Sequence, residues 1–235
     1  MGTLLLIRHG QASYGELDYD RLSARGREQA SALGRFLATA QLDAVFAGPL
    51  VRQQQTIAVA AEAATAAGAP LPPAQTVAEL AEYPAFEMLK HLVPRLVAED
   101  ARFAQLETAP TPRLLDEAFK TILSRWSSDE WLVDGVERVG AFVRRIRTGL
   151  DGIIRASAPG ARLACVTSAG PIGVAVGLAF GIPDERMVRT SIVIRNASIT
   201  ELRFRSRGFD WHPDQVSLVT FNVTAHLPAE LHTER

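Results

Sequence analysis

Two short polar segments carry the residue types that phosphoryl chemistry needs. Arg8-His9-Gly10 directly follows the apolar run from Thr3 to Ile7, and a second segment, residues 48–56, contains Arg52. A guanidinium group binds phosphate oxygens through paired donors and keeps its charge, whereas a neutral imidazole can attack phosphorus and form a covalent intermediate. The residue types therefore indicate a site that binds and transfers a phosphoryl group.

The placement of these segments strengthens the signal, since each stands where a strand pattern ends. Gly10 would let phosphate approach the backbone closely, and Arg52 falls at a helix start, where free N–H groups and the helix dipole favour anions. Taken alone, Arg-His-Gly is a common strand-end tripeptide that arises by chance. The prediction of a phosphate site therefore depends on both segments meeting in space.

Strand and helix patterns alternate along the chain and must position these residues. Strands are predicted at residues 3–7, 43–47, 162–167, 192–194, 199–204 and 216–221, and helices from Ser23 onward, at 50–67 and at 171–181. Short apolar strands alternating with helices predict an α/β fold with a doubly wound, mostly parallel sheet and helices on both faces, a three-layer sandwich. Such folds bind ligands at the carboxyl ends of their strands.

Residues 84–135 interrupt this alternation and are predicted to form a helical cap inserted into a single catalytic domain of residues 1–235. Its large apolar residues either line a substrate pocket or fill the core of the cap; they are Phe86, Met88, Trp126 and Trp131. The next helix is amphipathic, and its arginines are predicted to form a solvated face. These are Arg144, Arg145 and Arg147.

Three motifs in order resemble the histidine phosphatase superfamily, also called the phosphoglycerate mutase-like family. They are Leu6-Ile7-Arg8-His9-Gly10, then Leu22-Ser23-Ala24-Arg25-Gly26-Arg27-Glu28-Gln29-Ala30, and then the Ser-Pro-Leu-x-Arg-x-x-Gln-Thr-like segment from Gly48 to Thr56. The resemblance implies that His9 accepts the phosphoryl group and that Arg8 and Arg52 bind phosphate. It also implies a general acid in Leu80-Ala81-Glu82, which makes Glu82 the first candidate and Glu79 the alternative.

The chain departs from the family pattern at one position. A second histidine usually stands in a Val-Ser-His-Gly-Gly-like turn, and here Ser168 takes its place in Val166-Thr167-Ser168-Ala169-Gly170. A serine hydroxyl can donate one hydrogen bond to phosphate but adds no positive charge, so turnover is expected to fall by roughly 10²–10³. Two hypotheses follow: a phosphomonoesterase that works through phosphohistidine, and a weakly active or inactive pseudophosphatase that binds phosphorylated ligands or partners.

The remaining motifs favour a phosphatase that uses neither metal nor cofactor. The sequence Gln11-Ala12-Ser13-Tyr14-Gly15 differs from the Glu-Ser-x-Trp-Asn typical of mutases, and no Gly-Lys-Ser/Thr element of a P-loop occurs. The histidines and acidic residues show no metal-ligand spacing. His226, near the C-terminal end, is interpreted as a structural histidine, and its role stays open.

The composition bears on partners and location. With 25 basic and 26 acidic residues the formal net charge is −1, whereas nucleic-acid or anionic-membrane binding normally requires strong positive charge. The uncharged stretch 163–182 could be read as a membrane helix, but the turn chemistry of residues 167–171 favours a strand followed by a helix. The lone Cys165, together with an N-terminal apolar run too short for a signal peptide, predicts a cytoplasmic protein. We expect a small phosphorylated substrate as partner and leave open whether the chain forms a homodimer.

Overall fold

The computed structural model describes residues 1–13, 20–106 and 108–234. These residues contain a six-stranded sheet made of β1 (Gly2–Arg8), β2 (Ala44–Ala47), β3 (Ala74–Thr76), β4 (Arg162–Thr167), β5 (Ile199–Phe204) and β6 (Val216–Val223). The strand order is β3-β2-β4-β1-β5-β6. Strands β1 to β4 run parallel, and β5 pairs antiparallel with both β1 and β6. The mostly parallel sheet is therefore confirmed.

Seven α-helices lie in the described residues: α1 (Ala24–Leu37), α2 (Val51–Ala66), α3 (Ala85–Glu99), α4 (Pro112–Ser127), α5 (Val139–Ala156), α6 (Ala169–Phe180) and α7 (Asp184–Arg189). Ser23 begins α1 as expected, because its side-chain oxygen accepts the N–H of Gly26 at 3.0 Å. Short 3₁₀ turns occupy residues 78–80, 101–106, 190–193 and 229–231.

The core lies on both faces of the sheet. Alternate residues of β1 point in opposite directions, so Leu5 and Ile7 pack with Leu33 of α1 and Ile57 of α2. Leu4 and Leu6 pack on the other side in the cluster that includes residues of α5 and α6. Each face of β1 is covered by helices, and the three-layer α/β architecture expected from the sequence is confirmed.

The prediction of a strand at residues 192–194 is wrong. Residues 192–194 are β-branched and apolar, but the chain forms a 3₁₀ turn at Thr190–Val193 that follows α7. The hydroxyls of Thr190 and Ser191 donate to the carbonyl oxygens of Met187 at 2.7 Å and Val188 at 2.6 Å. These short side chains bond back to the last turn of α7 and keep the chain helical against its β propensity.

Three of the four large residues of the 84–135 stretch are buried in a core, and the fourth is exposed. Met88, Trp126 and Trp131 are each only 1% exposed, whereas Phe86 is 58% exposed. Helices α3 and α4 carry most of this stretch, and their buried side chains belong to the same cluster as α5.

Two further sequence interpretations concern helices. The arginines of α5 were expected to face solvent together, but Arg145 is half-buried while Arg144 and Arg147 are exposed. The uncharged stretch forms β4 and α6, and no helix within the described ranges has both the length and the apolar character that a membrane crossing needs.

Candidate active site

His9 lies just beyond the carboxyl end of β1, in a turn that three elements hold. Its N–H donates to the carbonyl oxygen of Thr167 at the end of β4, 2.9 Å away, and the N–H of Gly10 donates to Thr56 Oγ1 on α2 at 3.1 Å. The turn also packs directly on α1, because a Cβ added to Gly10 would lie 2.5 Å from the carbonyl oxygen of Gly26. Gly10 thus has a packing role that the sequence did not reveal.

The hydrogen bonds of the imidazole select one neutral tautomer. His9 Nδ1 lies 2.7 Å from the carbonyl oxygen of Gly10, and Arg52 Nε lies 3.0 Å from His9 Nε2. A carbonyl oxygen can only accept, so Nδ1 carries the proton, whereas a guanidinium can only donate, so Nε2 presents its lone pair. The nitrogen that faces Arg52 is therefore the nucleophilic one.

The surroundings keep this imidazole uncharged. Burial holds the pKa of His9 well below its usual value, and the positive charges of Arg52 and Arg8 lower that pKa further. The hydrogen bond to Gly10 acts in the opposite direction and is outweighed. His9 is consequently neutral at pH 7, which is the form that can attack phosphorus.

Arg52 is the second residue of α2, at the end of the helix that favours anions. Its Nη1 forms an ion pair with Asp20 Oδ1 at 2.6 Å, and Asp20 Oδ2 accepts the N–H of Val51 at 2.9 Å. Sequence reasoning missed Asp20, because nothing in its local sequence marks a contact 32 residues away. Its carboxylate bonds to two donors, a guanidinium and a helix N-terminus, that are also suited to a phosphate group.

Arg8 ends β1 and is partly buried beside the same turn. Its Nη1 donates to the backbone carbonyl oxygen of Ile194 and to that of Glu234, the latter at 2.9 Å. Its charge lowers the pKa of both His9 and Glu82. The structure therefore brings Arg8 and Arg52 together around His9, as the sequence required, with part of the Arg8 guanidinium already bonded to backbone.

Glu82, in the segment after β3, lies close enough to Arg52 and Arg8 for their charges to act on its carboxyl group. Its Oε2 accepts the N–H of Gly170 at 3.0 Å, and its Oε1 accepts the N–H of Tyr83 at 3.1 Å. Burial raises the pKa of Glu82, although the two N–H groups and the charges of Arg52 and Arg8 oppose that rise. A carboxyl group with a raised pKa keeps its proton to a higher pH and is suited to donate it.

Glu79, the alternative acid, faces a different part of the molecule. A Cβ added to Gly149 on α5 would lie 2.8 Å from the Cβ of Glu79. Its side chain lines a cavity between α5 and the β2–β4 side of the sheet, and the residues lining that cavity include none of His9, Arg8 and Arg52. The charges of both arginines beside His9 act on the Glu82 carboxyl group.

Ser168 stands at the carboxyl end of β4, adjacent to the His9 turn, and has no exposed surface. Its Oγ accepts a hydrogen bond at 2.8 Å from Gln53 Nε2, and Gln53 Oε1 in turn accepts the N–H of Leu50 at 3.0 Å. Gln53 lies within the Gly48–Thr56 motif, but its link to Ser168 was not foreseen. Direct binding of phosphate by Ser168 stays a prediction.

His226 is linked to the His9 turn through the backbone of Ala197. Its ring packs on Phe36 with centroids 5.4 Å apart, and burial lowers the pKa of His226 to about 4. A hydrogen bond to the backbone of Ala197 opposes that fall in pKa, and the N–H of Ala197 donates to the carbonyl oxygen of His9 at 3.1 Å. The ring is thus held by packing and by a backbone hydrogen bond, which is in keeping with a structural histidine, and its role stays a prediction.

Comparison with known proteins settles the family. The sequence pattern of the histidine phosphatase superfamily (branch 1) matches residues 4–213, which is most of the chain. The chain belongs to the histidine phosphatase superfamily. No curated protein sequence matches this histidine phosphatase closely enough to report.

Solved structures share the fold of this histidine phosphatase at low sequence identity. A mycobacterial glucosyl-3-phosphoglycerate phosphatase has a TM-score of 0.63 and 20% identity, with 95% of this chain and 99% of that chain covered. Phosphoserine phosphatase from Entamoeba histolytica gives 0.62 and 18%, covering 97% and 100%. Bacillus stearothermophilus YhfR gives 0.66 and 16%, covering 96% and 99%. At these identities the likeness establishes the fold.

Proposed function

We propose that this histidine phosphatase is a phosphomonoesterase that transfers the phosphoryl group of a small phosphorylated substrate to His9 and then to water. The observation that carries the proposal is the 3.0 Å contact between Arg52 Nε and His9 Nε2, which pairs a nucleophilic lone pair with a permanently charged phosphate ligand. The phosphatase names of two structural neighbours support the reaction class and leave the substrate open.

Substrate binding exchanges one hydrogen bond for another. The Arg52 N–H group occupies the lone pair of Nε2, so that N–H must turn to a phosphate oxygen before the nitrogen can attack. A phosphate oxygen is a better acceptor for a guanidinium than a neutral imidazole, because the bond then joins opposite charges. The phosphoryl group itself therefore exposes the nucleophile that attacks it.

The two half-reactions use the same residues. Nε2 forms a bond to phosphorus while the ester P–O bond breaks, and Glu82 gives its proton to the leaving oxygen. A water molecule then attacks phospho-His9, returns a proton to Glu82, and the N–P bond breaks with its electron pair going back to Nε2. Arg8 and Arg52 neutralise the oxygens in both steps.

The surroundings of Ser168 favour a second function, that of a pseudophosphatase. Its hydroxyl is buried and bonded to Gln53, so this position supplies no imidazolium charge to a bound phosphate. A site with two guanidinium groups and a weakened transition state would bind phosphorylated ligands tightly and turn them over slowly. This pseudophosphatase is the alternative that the experiment must distinguish.

The test is direct detection of phospho-His9. The protein is mixed with an aryl phosphate, quenched without acid because phosphohistidine is acid-labile, and examined by mass spectrometry. His9→Ala is the test variant, and His91→Ala, which removes an exposed histidine of α3, is the matched control. We expect labelled wild type and labelled His91→Ala, together with steady turnover, and no label in His9→Ala.

Other outcomes select other functions. Binding of vanadate or phosphate without labelling selects the pseudophosphatase, and a gain of turnover in Ser168→His would then identify the missing charge as the cause. Equal labelling of wild type and His9→Ala would overturn the assignment of His9. If the protein neither binds these anions nor is labelled, a structural or interaction role remains.

The proposed steps use side chains alone. Among the described residues no three histidine, cysteine or acidic side chains form a group that could hold a metal ion. We therefore expect turnover to persist after dialysis against EDTA, and a loss that Mg²⁺ or Zn²⁺ restores would contradict the side-chain mechanism.

A further inference from the structure

Arg145 is the one α5 arginine whose guanidinium reaches the segment that carries Glu82. Its Nη1 donates to the backbone carbonyl oxygen of Glu79 and, at 3.1 Å, to that of Ala81. Arg147, on the same helix, instead pairs with Asp210 at 3.0 Å on the surface. Arg145 thus bonds to the 3₁₀ turn at residues 78–80 and to the residue immediately before Glu82.

Glu137 fixes the orientation of this guanidinium. Its two carboxylate oxygens accept from Arg145, one from Nη2 and the other from Nε at 3.2 Å. The side chains are 26% and 25% exposed, so the ion pair is partly shielded from water. The backbone of Glu137 is held as well, because its carbonyl oxygen accepts the indole N–H of buried Trp126 at 3.1 Å. A paired donor geometry of this kind is specific to arginine.

A third carbonyl of the same segment is bonded by a side chain of another element. Leu80, which lies between the two carbonyls that Arg145 holds, accepts the hydroxyl proton of Thr167 at 2.7 Å. Three successive carbonyl oxygens, at residues 79, 80 and 81, are therefore fixed by side chains of α5 and β4. This segment belongs to no long element, so these bonds, together with the fully buried Leu80 side chain and a 3.4 Å bond from Gln53 Nε2 to the Leu80 carbonyl oxygen, hold its chain and hence the next residue in place.

We propose that Arg145, oriented by Glu137, is a positioning residue that holds the Glu82 carboxyl group at the leaving oxygen. The inference rests on the proposed role of Glu82 as general acid. Arg145 has no bond to His9 or to Arg52 among its described contacts. Its loss should weaken proton donation and leave phosphate binding and nucleophilic attack intact.

Leaving-group dependence separates these effects. An alkoxide leaves poorly unless it is protonated, whereas 2,4-dinitrophenolate leaves without a proton. For Arg145→Gln we expect kcat/KM to fall by about tenfold or more on an alkyl phosphate and by less than about threefold on 2,4-dinitrophenyl phosphate, because general acid catalysis contributes roughly 10²–10⁴. The inhibition constant of inorganic phosphate should stay unchanged.

Two further variants protect the test from a folding defect. Glu137→Gln keeps a neutral acceptor and should show the same selective loss to a smaller degree. Arg147→Gln removes an exposed arginine from the same helix and should leave both substrates unaffected. Thermal unfolding of every variant shows whether a loss reflects misfolded protein.

A double-mutant cycle with Glu82→Gln identifies the route of the effect. If Arg145 acts through Glu82, then Arg145→Gln should cause no further loss on the alkyl phosphate once Glu82 is already glutamine. Additive losses, or equal losses on both phosphates, would reduce Arg145 to a general structural residue and overturn the proposal.

The cycle also distinguishes two failures. If Glu82→Gln itself shows no leaving-group dependence, the general-acid role is wrong and the positioning role falls with it. If Glu82→Gln shows that dependence and Arg145→Gln does not, only the positioning role is wrong. Labelling of His9 tests the phosphatase reaction independently of either result.

Discussion

Substitution of Gly170 by alanine should displace the Glu82 carboxyl group without touching His9 or its arginines. A Cβ at residue 170 would lie 2.0 Å from Glu82 Oε1 and 2.9 Å from two ring carbons of Tyr83. The nearest ordinary contact is 3.4 Å, so the oxygen must retreat by 3.4 − 2.0 = 1.4 Å. That movement also lengthens the hydrogen bond from the Gly170 N–H, which is 3.0 Å in the structure.

The size of the effect follows from this displacement. A misplacement of about 1 Å at a reacting group costs roughly 10²-fold in rate, which is about 2.7 kcal/mol of transition-state stabilisation. We therefore expect Gly170→Ala to lower kcat/KM by about 10²-fold on an alkyl phosphate. On 2,4-dinitrophenyl phosphate, which needs no acid, the change should stay within about threefold. Alanine favours the first turn of α6 more than glycine does, but the 2.9 Å approach to the buried Tyr83 ring should cost about 1–3 kcal/mol of stability, so thermal unfolding of the variant is measured alongside.

The pH profile gives a second measurement on the same variant. Burial is the largest cause acting on the pKa of Glu82 and raises it, whereas the Gly170 N–H hydrogen bond, the second cause, lowers it. A displaced carboxyl group loses part of both, and because burial is the larger cause, its pKa should fall. The protonated acid would then be lost earlier as pH rises, and the alkaline limb of kcat/KM on the alkyl phosphate should move to lower pH. Gly152→Ala is the matched control, because its Cβ would meet nothing within 4 Å.

Two results would refute this reasoning. If Gly170→Ala loses activity equally on both phosphates, the substitution disturbs the phosphate site and the role of Glu82 is not isolated. If both activities stay at the wild-type level, Glu82 is not the group that protonates the leaving oxygen.

The other predictions concern the phosphate site and the fold. Arg52→Gln should raise the pKa of His9, because it removes a positive charge that lowers it; histidine NMR titration measures the change. Because the pKa of His9 is lowered in the folded state, the free energy of unfolding should fall as pH drops below about 6.5. The fall should be shallower in His9→Gln, and urea unfolding at several pH values measures both. Gly26→Ala should lower the free energy of unfolding by about 2 kcal/mol, since its Cβ would lie 2.1 Å from a backbone oxygen. Gly152→Ala, whose Cβ meets nothing within 4 Å, should raise it by about 0.5 kcal/mol. Asp20→Asn should tighten inorganic phosphate binding by roughly threefold in calorimetry, because a competing carboxylate charge is removed; weaker binding would contradict this.

The sequence determined the family, five of the six strands and the meeting of His9 with Arg52, but it missed the short edge strand β3. The motifs place both residues at the ends of strands, and parallel strands end at the same edge of a sheet. Strands β1 and β2 both pair with β4, so their carboxyl ends lie two strand positions apart, within reach of an arginine side chain. Local patterns suffice here because each motif and its strand are continuous in the chain.

The tertiary structure alone decided how these residues are held and charged. The tautomer of His9 depends on one partner next to it and another 43 residues away. The placement of Glu82 near the two arginines, with Glu79 facing elsewhere, depends on the 3₁₀ turn at residues 78–80, which Arg145 bonds from 66 residues away. No local pattern encodes such contacts, and Arg145 shares its sequence neighbourhood with exposed Arg144 and Arg147. Burial and hydrogen bonding between distant segments set pKa values and side-chain directions, and both exist only once the chain has packed.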